Sequence, residues 1–161
     1  MAGDRSVTVS RVIPADADSV WRVLDDTGRY AEWVPQTLEV TRSEGEAVVG
    51  ATYDERNAVF GPIKGKSRWR VAERDPGRYS RHDGEGLPLV KNVSIEFRTE
   101  PAGASTEVIS TLRYDTTLGP VGSVLDKLAH GQTVRAQEEA LANLERLVTA
   151  EAAVPEGQAV R

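Results

Sequence analysis

Residues 119–149 read GPVGSVLDKLAHGQTVRAQEEALANLERLVT, and this stretch decides the fold. Val121, Val124, Leu125, Leu128, Val134, Leu141, Leu144 and Val148 recur at three- and four-residue steps, the spacing of one helix face. Pro120 stands before it, and Ser123 followed by Asp126 offers a capping box. At 1.5 Å per residue the predicted helix, about Val121 to Thr149, is roughly 40 Å long, the width of a small domain. Its apolar stripe thins between Ala129 and Ala140, where Gly131, Gln132 and Gln137 fall on or beside the inner face. Two readings stay open. Either Gly131 marks a kink or a tolerated irregularity, or the middle of the helix faces a hollow space.

Working outward, the segment from residue 37 to 117 has strand character, with apolar runs separated by Gly, Pro, Asp and Ser clusters. Strands are expected near 37–43, 50–59, 64–74, 78–83, 90–100 and 105–117. Hairpin-like turns are expected at Ser43–Gly45, Asp75–Gly77 and Pro101–Gly103, which implies an antiparallel sheet. Ser6–Ile13 alternates as a further strand, interrupted on its apolar side by Arg11 and ended by Pro14. Asp16 or Asp18 can cap a short helix carrying Val20, Trp21, Val23 and Leu24, and a second short helix or turn spans Thr27–Trp33. The fold class expected is α+β. A curved seven-stranded antiparallel sheet wraps around the one long C-terminal helix, with two short helices between strands one and two. Residues 6–149 are read as a single domain, with residues 1–5 and 150–161 as flexible termini.

Composition bounds the function. The chain has 161 residues, a net charge of −5 and no cysteine, so disulfide, thiolate-nucleophile and thiolate-metal chemistry are excluded. An acidic pI near 5.1 argues against a nucleic-acid backbone as partner. No segment approaches 18 consecutive apolar residues, so no membrane insertion is expected. The opening MAGDRSVTV has no apolar core of a signal peptide, so a cytoplasmic location is expected. Gly61-Pro62-Ile63-Lys64-Gly65-Lys66-Ser67 has one residue too few between its glycines for a phosphate-binding loop, and it runs into a strand. The histidines, His82 and His130, lack metal-ligand spacing. His82, at the end of strand five, is either a surface residue or an acid/base group near an opening. No cofactor or metal site is expected, and no catalytic set stands out.

The opening residues Val7, Val9, Arg11, Ile13-Pro14-Ala15, Val20-Trp21, Leu24, Asp26, Tyr30, Trp33 and Pro35 resemble the N-terminal signature of the polyketide cyclase/dehydrase-like family. That family lies within the START/Bet v 1-like (SRPBCC, helix-grip) superfamily. Arg68-Trp69 with Val71 and Asp75 is similar to its fourth strand. Leu118-Gly119-Pro120-Val121-Gly122, continuing to Leu125-Asp126-Lys127-Leu128, is similar to the approach to its final helix. The resemblance covers residues 6–149 and implies a deep cavity between sheet and helix for an apolar or aromatic small molecule, such as a polyketide, lipid or quinone. Members include cyclases and aromatases, carriers and receptors, and fold does not choose among them.

Three connections carry bulky apolar residues beside Gly or Pro: Val59-Phe60-Gly61-Pro62-Ile63, Gly86-Leu87-Pro88-Leu89 and Leu118-Gly119-Pro120-Val121. Strand counting puts them at one end, as a plug of the barrel end, a binding mouth, or both. Strand parity gives an inner wall of Tyr53, Val59, Trp69, Val71, Val93, Ile95, Phe97, Val108, Leu112 and Tyr114. Polar groups within it are Arg11, Glu55, Asn57, Lys91 and Ser110, each subject to a bulge that would turn it outward. An inward Glu55 calls for a partner such as Arg11 or Lys91. The ligand-binding residues expected are Tyr53, Glu55, Phe60, Ile63, Trp69, Leu87, Leu89, Lys91, Tyr114, Leu118 and Leu128. Three functions follow: a binder of an apolar small molecule, a metal-free cyclase, aromatase or dehydratase, or a protein-interaction module. A monomer or homodimer suits any of them.

Overall fold

The computed structural model describes residues 4–117, 119 and 123–153. Seven strands run β1 (Asp4–Ile13), β2 (Thr37–Ser43), β3 (Thr52–Phe60), β4 (Ile63–Asp75), β5 (Tyr79–Glu85), β6 (Val90–Ala102) and β7 (Ser105–Thr116). Helices α1 (Ala17–Leu24) and α2 (Tyr30–Trp33) lie between β1 and β2, and α3 (Ser123–Ala152) follows β7. All neighbours pair antiparallel in the order β1-β7-β6-β5-β4-β3-β2, so the first strand closes on the last.

Local chemistry sets the short elements. Asp16 caps α1 by accepting a hydrogen bond from the Ser19 amide at 2.7 Å, which holds its carboxyl below the usual range. Val20, Trp21, Val23 and Leu24 are the buried face of α1. Trp21 Nε1 donates to Thr99 Oγ1 at 2.8 Å, and the Tyr30 hydroxyl donates to the Leu24 carbonyl at 2.9 Å. A buried aromatic group and its polar atom are thus placed together. Arg74 reaches Asp25 at 2.7 Å and Glu46 at 3.2 Å, tying the end of α1 to β4 and to the β2–β3 connection.

That connection departs from expectation. Instead of a hairpin at Ser43–Gly45, an eight-residue excursion separates β2 from β3, and its Ala47 and Ala51 bury against Val71. Val71, expected in the main wall, belongs to this second small cluster.

The long helix changes character along its length. Leu141, Leu144 and Val148 are fully buried, and α3 packs along β1, α1 and α2. Asn143 Nδ2 donates to the Trp33 carbonyl at 3.0 Å, pinning this half to α2. Toward the N-terminus the inward positions are Asp126, Ala129, Thr133 and Gln137, spaced three, four and four apart. Leu128 is 58% exposed, contrary to its expected place inside. The face carrying Leu141 and Leu144 continues through Gln137, Thr133 and Ala129, and Leu128 lies about 100° off it. Side chains this small or polar leave space between helix and sheet, which selects the hollow reading over the kink. The Ser123 side chain lies outside the described residues, and with it the expected capping box.

Candidate functional site: an apolar cavity with one buried carboxyl

Between the N-terminal half of α3 and the concave face of the sheet lies a cavity of about 430 Å³. Its floor comes from Tyr53 on β3, Trp69 on β4, Val93, Ile95 and Phe97 on β6, and Leu112 and Tyr114 on β7. Alternation along each strand turns these side chains to one face. Val59 and Ile63, flanking the β3–β4 turn, Leu87 and Leu89 from the β5–β6 connection, and Val90 at the start of β6 ring its mouth. The two connections touch: a Cβ on Gly65 would lie 2.5 Å from Pro88 Cδ, so glycine is what lets Pro88 settle there. Trp69 is seated in the same way, with its ring 2.7 Å from where a Gly84 Cβ would be.

The polar content is concentrated. Trp69 Nε1 donates to Ser67 Oγ (2.8 Å), Ser67 to Asn57 Oδ1 (2.6 Å), and Asn57 Nδ2 to Glu55 Oε2 (2.9 Å). An indole N–H can only donate, so every hydroxyl and amide in this chain must point its hydrogen toward Glu55. Glu55 is 4% exposed, and burial pushes its carboxyl above the usual range, against hydrogen bonds from neutral neighbours. No cation pairs with it among the described residues. The expected partners are elsewhere: Arg11 is on the surface with Glu145, and Lys91 is exposed.

Lys91 is turned out by an irregularity at the start of β6. The register with β7 shifts between Lys91 and Ser94, and Asn92 there adopts a left-handed backbone, φ 50°. Parity read backward from Val93 therefore fails at Lys91. The other acid lining the cavity, Asp126, is bound by Arg5 at 2.9 Å, and no basic side chain lines the cavity among the described residues.

His82 lies neither on the surface nor at the mouth. It is fully buried behind Tyr53, whose hydroxyl is 2.8 Å from His82 Nδ1. Its ring packs against those of Tyr30, Tyr53 and Phe97, at centroid distances of 6.1, 5.6 and 6.3 Å. Desolvation holds its pKa down to about 4, and Nε2 has no hydrogen-bond partner among the described residues.

Of the expected ligand-binding residues, Tyr53, Glu55, Ile63, Trp69, Leu87, Leu89 and Tyr114 all border this one space. Lys91 and Leu128 do not; both point to solvent. The Phe60 side chain and all of Leu118 lie outside the described residues, as does the third apolar connection apart from Gly119. Ser110 is buried in the wall and donates to Gln137 Oε1 at 3.1 Å, linking β7 to α3. Sequence reasoning missed Tyr30, Val34, Gln36 and Thr37, which border the cavity from α2 and the start of β2, and Ala129 and Thr133 on α3. Only the gap in the helix stripe signalled the last two. No three His, Asp or Glu side chains converge among the described residues.

The family model described as polyketide cyclase / dehydrase and lipid transport matches residues 4–149. Among solved structures, TTHA0849 from Thermus thermophilus is 25% identical with a TM-score of 0.72, over 92% of this chain and 100% of that one. The Zhui aromatase/cyclase from Streptomyces sp. R1128 is 23% identical with a TM-score of 0.73, over 98% and 100%. Ara h 8.0201 is 12% identical with a TM-score of 0.68, over 92% and 99%. The last two likenesses speak to the fold alone. None of the curated proteins matches the chain. With its helix-grip architecture and a match over nearly its whole length, the chain belongs to the polyketide cyclase / dehydrase and lipid transport family.

Proposed function

We propose that this protein binds one neutral, apolar or aromatic small molecule in the cavity between sheet and α3. The carrying observation is a cavity of about 430 Å³ with a mostly apolar wall and a buried, hydrogen-bonded polar cluster at Glu55. Small-molecule sites commonly occupy roughly 300–1,000 Å³ and use few polar groups to orient the ligand. The absence of a basic lining residue among those described disfavours an anionic headgroup inside. Glu55, its carboxyl biased toward the neutral form, suits a ligand oxygen that accepts a hydrogen bond.

Native mass spectrometry of protein purified without denaturation tests this, with a thermal-shift panel of aromatic polyketides, quinones and fatty acids. A stoichiometric neutral passenger, or stabilisation by neutral members of the panel, is the expected result. Ala129→Phe should fill the space, weaken such binding at least about tenfold and change stability by less than about 1 kcal/mol. Full-strength binding by that variant would place the ligand elsewhere.

A second reading, a cyclase or dehydratase, is favoured by Glu55 specifically. A buried carboxyl shifted upward is suited to move a proton to or from a substrate held against it. If so, Glu55→Gln abolishes turnover of a panel substrate while leaving its binding within a few-fold. Equal turnover in both chains would leave the binder alone.

A further inference from the structure

The chain contains four lysines, Lys64, Lys66, Lys91 and Lys127, and all four lie in segments whose neighbouring residues Ile63, Val90 and Asp126 line the cavity, their own side chains turned to solvent. Lys64 and Lys66 leave the β3–β4 turn, Lys91 leaves the β5–β6 connection, and Lys127 is in the first turns of α3. All four are exposed. Among the described residues no lysine forms a salt bridge, and every ion pair is made by an arginine. Two acids beside the lysines have other partners, Asp126 with Arg5 and Asp115, opposite Lys91, with Asn92 Nδ2 at 2.7 Å. Glu85, at the end of β5, is exposed and in no ion pair among the described residues.

Three of the four lysines have an apolar neighbour in sequence: Ile63-Lys64, Val90-Lys91 and Lys127-Leu128. Ile63 is 39% and Leu128 58% exposed, and Ile63 and Val90 also line the cavity. Three separate segments around one opening thus each carry an apolar side chain and, among the described residues, a lysine in no ion pair. The whole chain, by contrast, carries a net charge of −5.

We infer that the mouth docks on an anionic lipid bilayer, resting on its surface without crossing it. Ammonium groups on flexible stems reach phosphates while the stems and their apolar neighbours lie at the headgroup–acyl boundary. The field of a chain negative elsewhere and positive at one rim turns that rim toward an anionic surface. The apolar component favours a bilayer over an acidic protein, because a purely electrostatic partner gives Ile63 and Leu128 nothing to cover. Docked in this way, the cavity opens onto lipid rather than water. The inference needs no ligand in the cavity and stands or falls separately from the binding proposal.

The test is flotation with vesicles of phosphatidylcholine containing about one third phosphatidylserine, at low and high salt, against pure phosphatidylcholine vesicles. The intact protein should float with the anionic vesicles at low salt and be released by high salt. Replacing one lysine by glutamine should weaken partitioning about fivefold, and replacing all four more than about a hundredfold. Circular dichroism on the quadruple variant checks that these exposed changes leave it folded. Leu128→Ser should weaken vesicle binding without altering its salt dependence. No flotation of the intact protein, or equal flotation of the quadruple variant, overturns the inference. So does binding to polyglutamate that is as tight as binding to vesicles and indifferent to Leu128→Ser, which would assign the rim to an acidic protein.

Discussion

Glu55 and His82 are both buried and ionisable, yet burial moves their proton equilibria so that they respond oppositely to pH. Burial raises the Glu55 pKa, so its contribution to stability is full below the unfolded value and is lost as pH rises through the folded one. Glu55→Gln should therefore stabilise the protein at pH 8, on the order of 1 kcal/mol, and not at pH 4; urea unfolding at both values measures it. His82 is depressed from 6.5 to about 4, so the unfolded chain takes up its proton first as pH falls. Stability is full above about pH 6.5 and declines toward pH 4, by at most about 3 kcal/mol from this residue. In His82→Gln the drop between pH 7 and 4.5 should shrink, even though that variant starts less stable for want of the Tyr53 hydrogen bond. An unchanged drop would mean that other groups carry the acid sensitivity.

Among elements, α3 has two halves with different work, and substitutions should separate them. Leu144→Ala, in the packed half, should cost about 2–5 kcal/mol, whereas Leu128→Ser should cost less than about 0.5 kcal/mol despite the same loss of a leucine. Chemical unfolding distinguishes them; comparable losses would mean that Leu128 packs inward. On β5, Gly84→Ala forces the Trp69 ring aside and should cost about 1–3 kcal/mol, with a shift in tryptophan emission. The boundaries of these elements were legible because turn residues and period changes mark them chemically. Strand parity was legible only where pairing is regular. It held at Tyr53, Glu55 and Trp69, and failed at Lys91, where the positive-φ Asn92 shifts the register. Leu128 falls outside the cavity because the leucine and valine steps before the gap at Ala129–Ala140 are out of phase with the buried face beyond it. The buried stripe passes instead through alanine, threonine and glutamine, residues with no hydropathic signature.

For the whole molecule, strand order and the covering helix followed from alternation, turn chemistry and the need to cover one apolar sheet face. The inward placement of β-strand residues followed from the same rules. The contributions of Tyr30, Val34 and Thr37 to the cavity did not, because they depend on how α2 and the start of β2 tuck under the sheet. His82 illustrates the same limit: its neighbours along the chain, Arg81 and Asp83, are polar, and only the pairing of β5 between β4 and β6 buries it. The confinement of every lysine to one rim has a practical consequence for anyone handling the protein. Reagents selective for side-chain amines will decorate that rim, and immobilising the protein on an amine-reactive sensor chip will press the opening against the support. A competent protein so mounted should read as inert. The chain has no cysteine, so a thiol introduced at Ala104, in the turn at the far end of the sheet, offers a unique handle that leaves the opening facing the solution.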